Sequence, residues 1–302
     1  MAARRTGGPS MTGRTGSVVV HHRSYDTIGT VVSDLLSQGL DVGDILIVDN
    51  SEQQTSERRL RAAVPQDVDL LFVPNRGYGA AVNEGVRALL DRASYEYLLV
   101  ATHEVRIAAG SLAALEAALD AGPALGAAGP TLLTRASDGR DEVWSTGGKL
   151  TRWARVPRHH DHRAEPDGVF ARHEPVVVRR VWLDGAFVLY RARLLADFRI
   201  NETFFMYVEE VDLHLRLGRA GHAIVWVPAA RVHQSSGGTP MFYLGRNLVL
   251  LLRLNGQRLR IAFVPFVALR AALPQAIRRR SARPVLDVVR GIGRGLSERL
   301  AR

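Results

Sequence analysis

The first 120 residues alternate between short apolar, β-branched runs and segments whose apolar residues recur at helical spacing. Val18, Val19 and Val20 form one run, and Ile45, Leu46, Ile47 and Val48 form the next. Such runs suit strands buried on both faces of a parallel sheet. Between them Ile28, Val31, Val32, Leu35 and Leu36 trace one face of a helix, so the first 50 residues predict a βαβ unit. The pattern predicts a third strand over 69–73, a glycine-rich turn, a helix over 80–90, a fourth strand over 97–101 and a helix over 113–119. This alternation is that of a doubly wound α/β sheet, whose ligands sit beyond the carboxyl ends of its strands.

After residue 134 the texture changes. Residues 134–175 are rich in Arg, His, Asp, Gly and Pro without periodicity, which predicts a long irregular excursion. A second patterned block follows: apolar runs at 176–181 and 182–189, an acidic helix near 209–217 and a strand over 223–227. An apolar helix over 243–254 leads into a basic tail. The expected organisation is therefore a disordered leader (1–16), one α/β domain (17–255) and an amphipathic helical tail (256–302).

Composition narrows the chemistry. The chain has 302 residues, 46% hydrophobic and 23% charged, within the globular range. It has no cysteine, which excludes disulfides, thiolate metal sites and a cysteine nucleophile. The net charge is +10, and residues 253–302 carry all of it, with 12 arginines against Asp287 and Glu298. Val285, Val288, Val289, Ile292, Leu296 and Leu300 follow helical spacing there, which suits either packing on the domain or peripheral contact with an anionic membrane. Nucleic acid is not expected, because few aromatic residues are interleaved with the arginines. No signal-peptide pattern and no uninterrupted apolar run of spanning length are present, which predicts a cytoplasmic protein, peripheral at most at the inner face of the membrane.

Three groups fall on one edge of the predicted sheet: Asp49, then Asn75, Gly77 and Gly79, then Thr102, His103 and Glu104. Asp49 equally suits a helix cap or Asx turn. In the second block, Glu209, Glu210 and Asp212 directly follow Phe204-Phe205-Met206-Tyr207-Val208. A carboxylate partly desolvated by aromatic neighbours and crowded by like charge suits proton abstraction, though acidic residues also favour the first turn of any helix. His233 lies 21 residues after Asp212, and most single histidines are structural. His159, His160 and His162 are expected in solvated loop.

The ordered series Val48-Asp49-Asn50-Ser51, Asn75-Arg76-Gly77-Tyr78-Gly79 through Asn83, Thr102-His103-Glu104, Gly185-Ala186, Phe205 through Asp212, His233 and Arg246-Asn247 resembles the inverting family-2 glycosyltransferases, in particular rhamnosyltransferase-like members, over residues 17–255. The resemblance implies a GT-A fold, a doubly wound mixed sheet. It implies that Asp49 meets the nucleobase and that Asn75, Gly77, Asn83 and Thr102 shape the nucleotide site. It further implies that Gly185 and Ala186 pass close to donor sugar and acceptor. Glu104 and His233 would hold a divalent cation, Mg2+ or Mn2+, and Glu210, with Glu209 beside it, would be the general base. The implied donor is a nucleotide sugar such as dTDP-rhamnose or a UDP-sugar, and the acceptor a hydroxyl of a glycan, a lipid-linked sugar or a small molecule. Thr102 and Glu104 stand where relatives usually have Asp or Asn and Asp. Two rivals follow: a non-catalytic nucleotide-sugar-binding relative with a decayed metal site, and a nucleotidyltransferase.

Overall fold

The computed structural model describes residues 14–173, 177–235 and 239–300. Most of the expected leader, and Gly237 and Gly238 after His233, lie outside the described residues. The N-terminal part runs β1 (Thr15–His21), α1 (Tyr25–Ser37), β2 (Ile45–Asp49), α2 (Ser56–Ala63), β3 (Asp69–Phe72), α3 (Tyr78–Arg92) and β4 (Tyr97–Thr102). β1 pairs in parallel with both β2 and β4, and β2 with β3. The chain thus builds outward from β1 in one direction, then returns to its other side. That reversal opens a crevice at the carboxyl ends of β1 and β4, where a doubly wound sheet binds ligands.

The sheet then becomes mixed. β5 (Val105–Ile107), α4 (Ser111–Asp120) and the 11-residue β6 (Leu125–Arg135) precede the region expected to be irregular. That region instead contains β7 (Asp141–Ser145), β8 (Gly148–Leu150), β9 (Pro157–His159) and α5 (Pro166–His173). These pieces are too short to show a period. After them come β10 (Val178–Arg180), β11 (Phe187–Arg191), α6 (Ala192–Asp197), α7 (Glu209–Arg219) and β12 (Ala223–Gln234). The strand order is β10-β12-β6-β11-β4-β1-β2-β3, with β5 and β7 added to β12 and β6, and β8 paired with β9 apart. β11 runs antiparallel to β4 and β6, which turns the doubly wound half into a continuous mixed sheet. Apolar side chains fill both faces, with Ile28, Leu35, Leu99 and Phe187 in one core and Val18, Leu89, Leu98 and Trp226 in the other.

Three helices close the chain: α8 (Met241–Leu254), α9 (Val264–Arg279) and α10 (Arg283–Ser297). α10 lies directly on α8. A Cβ at Gly291 would fall 2.1 Å from the carbonyl oxygen of Phe242, and one at Gly295 2.7 Å from that of Arg246. The glycines that weaken an isolated helix thus permit this close approach. Arg253 donates to the carbonyls of Gly295 and Glu298, at 2.5 and 2.9 Å. The helical run Arg258–Arg279 is long and apolar enough, by length and composition, to cross a membrane. Arg270 interrupts its apolar run. One face of α9, with Val264, Ala268 and Ala272, is buried in the protein.

Candidate active site

A cavity of about 810 Å³ opens at the carboxyl ends of β1, β2 and β4, between those strand ends and α7–α9. On the strand side, Asn50, Asn75, Gly77, Thr102, His103 and Glu104 line it. His22 Nδ1 lies 3.1 Å from Asn50 Oδ1, and Asn75 Oδ1 accepts from Gly77 N at 3.3 Å. Gly77 is required by its neighbours: its φ is +104°, and a Cβ there would sit 2.0 Å from the carbonyl oxygen of Phe205. That same oxygen accepts from Tyr78 N at 2.6 Å, locking the Asn75–Gly79 turn onto the loop before α7.

The opposite wall carries the acid groups. Glu209 and Glu210 open α7 and line the cavity beside Asp184 and Gly185. Glu209 is buried with Oε2 unpartnered, and Gly185 lies so close to Glu210 that a Cβ there would be in van der Waals contact with Glu210 Cβ, at 3.4 Å. Asp184 is held by Trp144 Nε1 at 2.9 Å and by Ala186 N at 3.1 Å. Burial pushes the Glu209 carboxyl up to about 7. Burial, then repulsion from Glu209 and Asp184, holds Glu210 well above the usual carboxylate range.

The loop that delivers these carboxylates is strained. Phe205, Tyr207 and Val208 have φ of +66°, +67° and +75°, unfavourable for side chains with a Cβ and most so for β-branched valine. α8 holds it in place. Arg246 donates to the carbonyls of Phe204 and Thr203 at 3.0 and 2.7 Å, and Asn247 Nδ2 to those of Met206 and Tyr207 at 2.7 and 2.9 Å.

No family model matches the chain. Two curated relatives, the N-acetylglucosaminyl-diphospho-decaprenol L-rhamnosyltransferases of Mycobacterium tuberculosis strains CDC 1551 / Oshkosh and ATCC 25618 / H37Rv, are each 31% identical over 228 residues. The match covers 66% of this chain and 70% of each relative. The chain belongs to the rhamnosyltransferase-like glycosyltransferases. Two solved structures show the same GT-A fold. GalNAc-T7 with UDP, GalNAc and Mn2+ gives a TM-score of 0.58 at 13% identity, covering 80% of this chain and 48% of that one, so this chain spans about half its length. A mannosyltransferase from Pyrobaculum calidifontis with GDP-Man and Mn2+ gives 0.57 at 14% identity, covering 97% and 89%.

In this glycosyltransferase the cavity gathers Asn75, Gly77, Thr102, Glu104, Gly185, Ala186, Glu209 and Glu210 from the expected residues, but not Asp49, Asn83 or His233. Asp49 is buried below the cavity floor, its oxygens taken by His21 Nδ1, Ser51 and Ser56 at 2.5–2.6 Å. Asn50, one residue on, lines the cavity instead. Burial raises the Asp49 carboxyl, but these three hydrogen bonds outweigh it and hold the group below its usual range. The Asn83 amide ties α3 to Ile200, accepting from its N and donating to its carbonyl at 2.9 Å each. His233 sits one residue before the cavity-lining Gln234, so the alternation of the strand sends its ring to the other face, with Nε2 3.7 Å from Asp141 Oδ2.

For a cation the glycosyltransferase offers a different pair. His103 Nδ1 faces the carbonyl oxygen of Val20 at 3.0 Å, an acceptor only, so neutral His103 carries its proton there and a lone pair on Nε2. That Nε2 lies 3.5 Å from Glu104 Oε1, both at the cavity. Among the described residues no cluster of three or more His, Asp or Glu has metal-site geometry. Nitrogen and oxygen donors side by side nevertheless fit an ion that completes its shell from a ligand.

The excursion and the head of the following apolar run add a wall not expected from the sequence. Trp144, His159 and Trp182 line the cavity, with the His159 ring centroid 5.5 Å from that of Trp144 and 4.8 Å from that of Trp182. His159, expected in solvated loop, is packed between two indoles, and burial lowers its basicity. Trp144 in a polar stretch and Trp182 at the head of an apolar run were the available signals.

Proposed function

We propose that the chain is an inverting glycosyltransferase that moves a sugar from dTDP-rhamnose or a UDP-sugar to an acceptor hydroxyl, with Glu210 as general base. The observation that carries this reading is the pair Glu209 and Glu210, walled in opposite the strand-end edge of one cavity. Asn50, Asn75 and the backbone of the Gly77 turn would hold the nucleotide, with the sugar directed toward Gly185 and Ala186. Glu210 takes the proton from the acceptor hydroxyl as it attacks the anomeric carbon from the side opposite the leaving diphosphate, and the single displacement inverts that centre. Glu209 keeps the local charge high and raises the proton affinity of Glu210. His103 and Glu104 would hold a divalent cation, which supplies neutralisation of charge on the departing diphosphate.

The relatives' name supports a lipid-linked acceptor over a free glycan or secondary metabolite. Exposed apolar side chains beside the arginines of α9 and α10 support peripheral contact with an anionic membrane at its cytoplasmic face. The testing experiment offers dTDP-rhamnose and UDP-sugars with an N-acetylglucosaminyl-diphosphate-lipid analogue and reads the product by NMR. Transfer with inverted anomeric configuration is expected, and a retained product would contradict the single displacement. Nucleotide binding without transfer to any acceptor would favour the non-catalytic rival.

A further inference from the structure

α9 has three faces. Val264, Ala268 and Ala272 are buried in the protein, and Val267, Arg270 and Ala271 line the cavity. Phe266 and Ile277 are 75% and 77% exposed, with Leu273 half exposed between them. Relative to Arg270 these stand at i−4, i+7 and i+3, the positions that share a helix face. Arg270 therefore sits at the seam where an exposed apolar ridge meets the cavity. Just before the helix, Leu259 is 93% exposed, and Trp153, whose carbonyl accepts from Arg260, is 70% exposed.

Arg270 and Arg158, on β9, are the two arginines among the described residues lining the cavity. Neither guanidinium makes a hydrogen bond or ion pair with another described residue. β9 is anchored to α9 just upstream, because Val156 packs in one apolar cluster with Val264 and Val267. Two uncommitted guanidiniums thus stand on the walls of a cavity whose reactive side bears Asp184, Glu209 and Glu210. They give no help to a carboxylate base. They suit an anionic group that reaches the carboxylates only through the sugar it carries.

We propose that Arg158 and Arg270 form a phosphate subsite for the acceptor, gripping the anionic linker between a sugar and a long apolar chain while the ridge of α9 rests at the lipid surface. This rests on the glycosyltransferase reading and assigns the residues that would recognise the linker of its acceptor. The chain of such an acceptor stays in the bilayer beside Phe266, Leu273 and Ile277, the linker crosses Arg270, and the sugar hydroxyl enters toward Glu210. A soluble glycan without phosphate would leave both arginines unused.

The test titrates farnesyl diphosphate, farnesol and inorganic diphosphate into the full chain held in saturating dTDP or UDP with Mn2+. Wild type, Arg270→Ala, Arg158→Ala/Arg270→Ala and the distal control Arg290→Ala are compared, with thermal melts to confirm that each is folded. Farnesyl diphosphate should bind wild type and the control alike, about tenfold weaker to Arg270→Ala and weaker again to the double variant. Farnesol affinity should not change across the set. Equal farnesyl diphosphate affinity in all four proteins, or its displacement by the nucleotide, would overturn the subsite. If wild type binds neither nucleotide yet farnesyl diphosphate still depends on Arg270, the subsite stands and the glycosyltransferase reading falls.

Discussion

The two walls of the cavity are built on opposite principles. On the strand side, Asp49 is saturated by His21, Ser51 and Ser56, and Asn50 and Asn75 are held by neighbours. On the α7 side, three residues with side chains adopt left-handed backbone, one carboxylate oxygen is buried without a partner, and two adjacent acids repel each other. The strand side is not free of such features, since His21 Nε2 is buried without a partner and Arg23 and Glu52 are left-handed. The clustering of strain with repelling carboxylates, however, is found on the α7 side, where the proposed base lies. A relaxed floor can hold a ligand, but an acid poised to abstract a proton needs a site that resists its ionisation. The strained wall persists because α8 ties it down through Arg246 and Asn247.

The contrast can be broken from either side. Glu210→Gln removes the proposed base and keeps the shape, so turnover should fall by about 10²–10⁴-fold while nucleoside diphosphate affinity is unchanged, measured by transfer rate and calorimetry. Asp49→Ala acts beneath the strand-side wall, leaving His21 Nδ1, Ser51 and Ser56 without their shared acceptor. Stability should drop by about 3–5 kcal/mol in urea titration, with turnover of the folded fraction near normal.

Acidity separates the walls by sign. The Asp49 carboxyl is held low, so its stabilisation is present above the usual carboxylate range and lost as pH falls through its lowered value. Glu209 is raised from 4.5 to about 7, so its contribution is complete in acid and lost as pH rises through that window. Up to about 3 kcal/mol is at stake there, and Glu209→Gln should flatten the decline in melting temperature between about pH 5 and 8. Activity should run the other way, rising with pH as Glu210 gives up its proton.

The sequence made one wall legible and half of the other. The runs at Val18–Val20 and Ile45–Val48 carry their strands in their own composition, and the strand ends fell on one edge as the topology requires. Glu209 and Glu210 stood out because two acids followed an aromatic run. Faces were harder. The resemblance pairs Glu104 with His233 as cation ligands, yet the one-residue alternation of β12 turns His233 away and leaves His103 as the neighbour of Glu104. Asp49 and Asn83 look like ligand residues in sequence, because nothing there shows that His21 and Ile200 already occupy them. Gly291 and Gly295 read as helix weaknesses until α8 supplies the backbone they accommodate. Except at His233, where strand alternation decides, each miss concerns a partner distant in the chain.

The most direct test of the division between the walls is Asn247→Ala, which cuts two hydrogen bonds to the strained loop without touching the cavity floor. Stability should fall by about 1–2 kcal/mol. With saturating donor and acceptor, turnover should fall about tenfold as the carboxylates lose their placement, while dTDP or UDP affinity stays within about twofold of wild type. Intact turnover with weakened nucleotide binding would contradict the account, because α8 would then support the floor and not the acid wall.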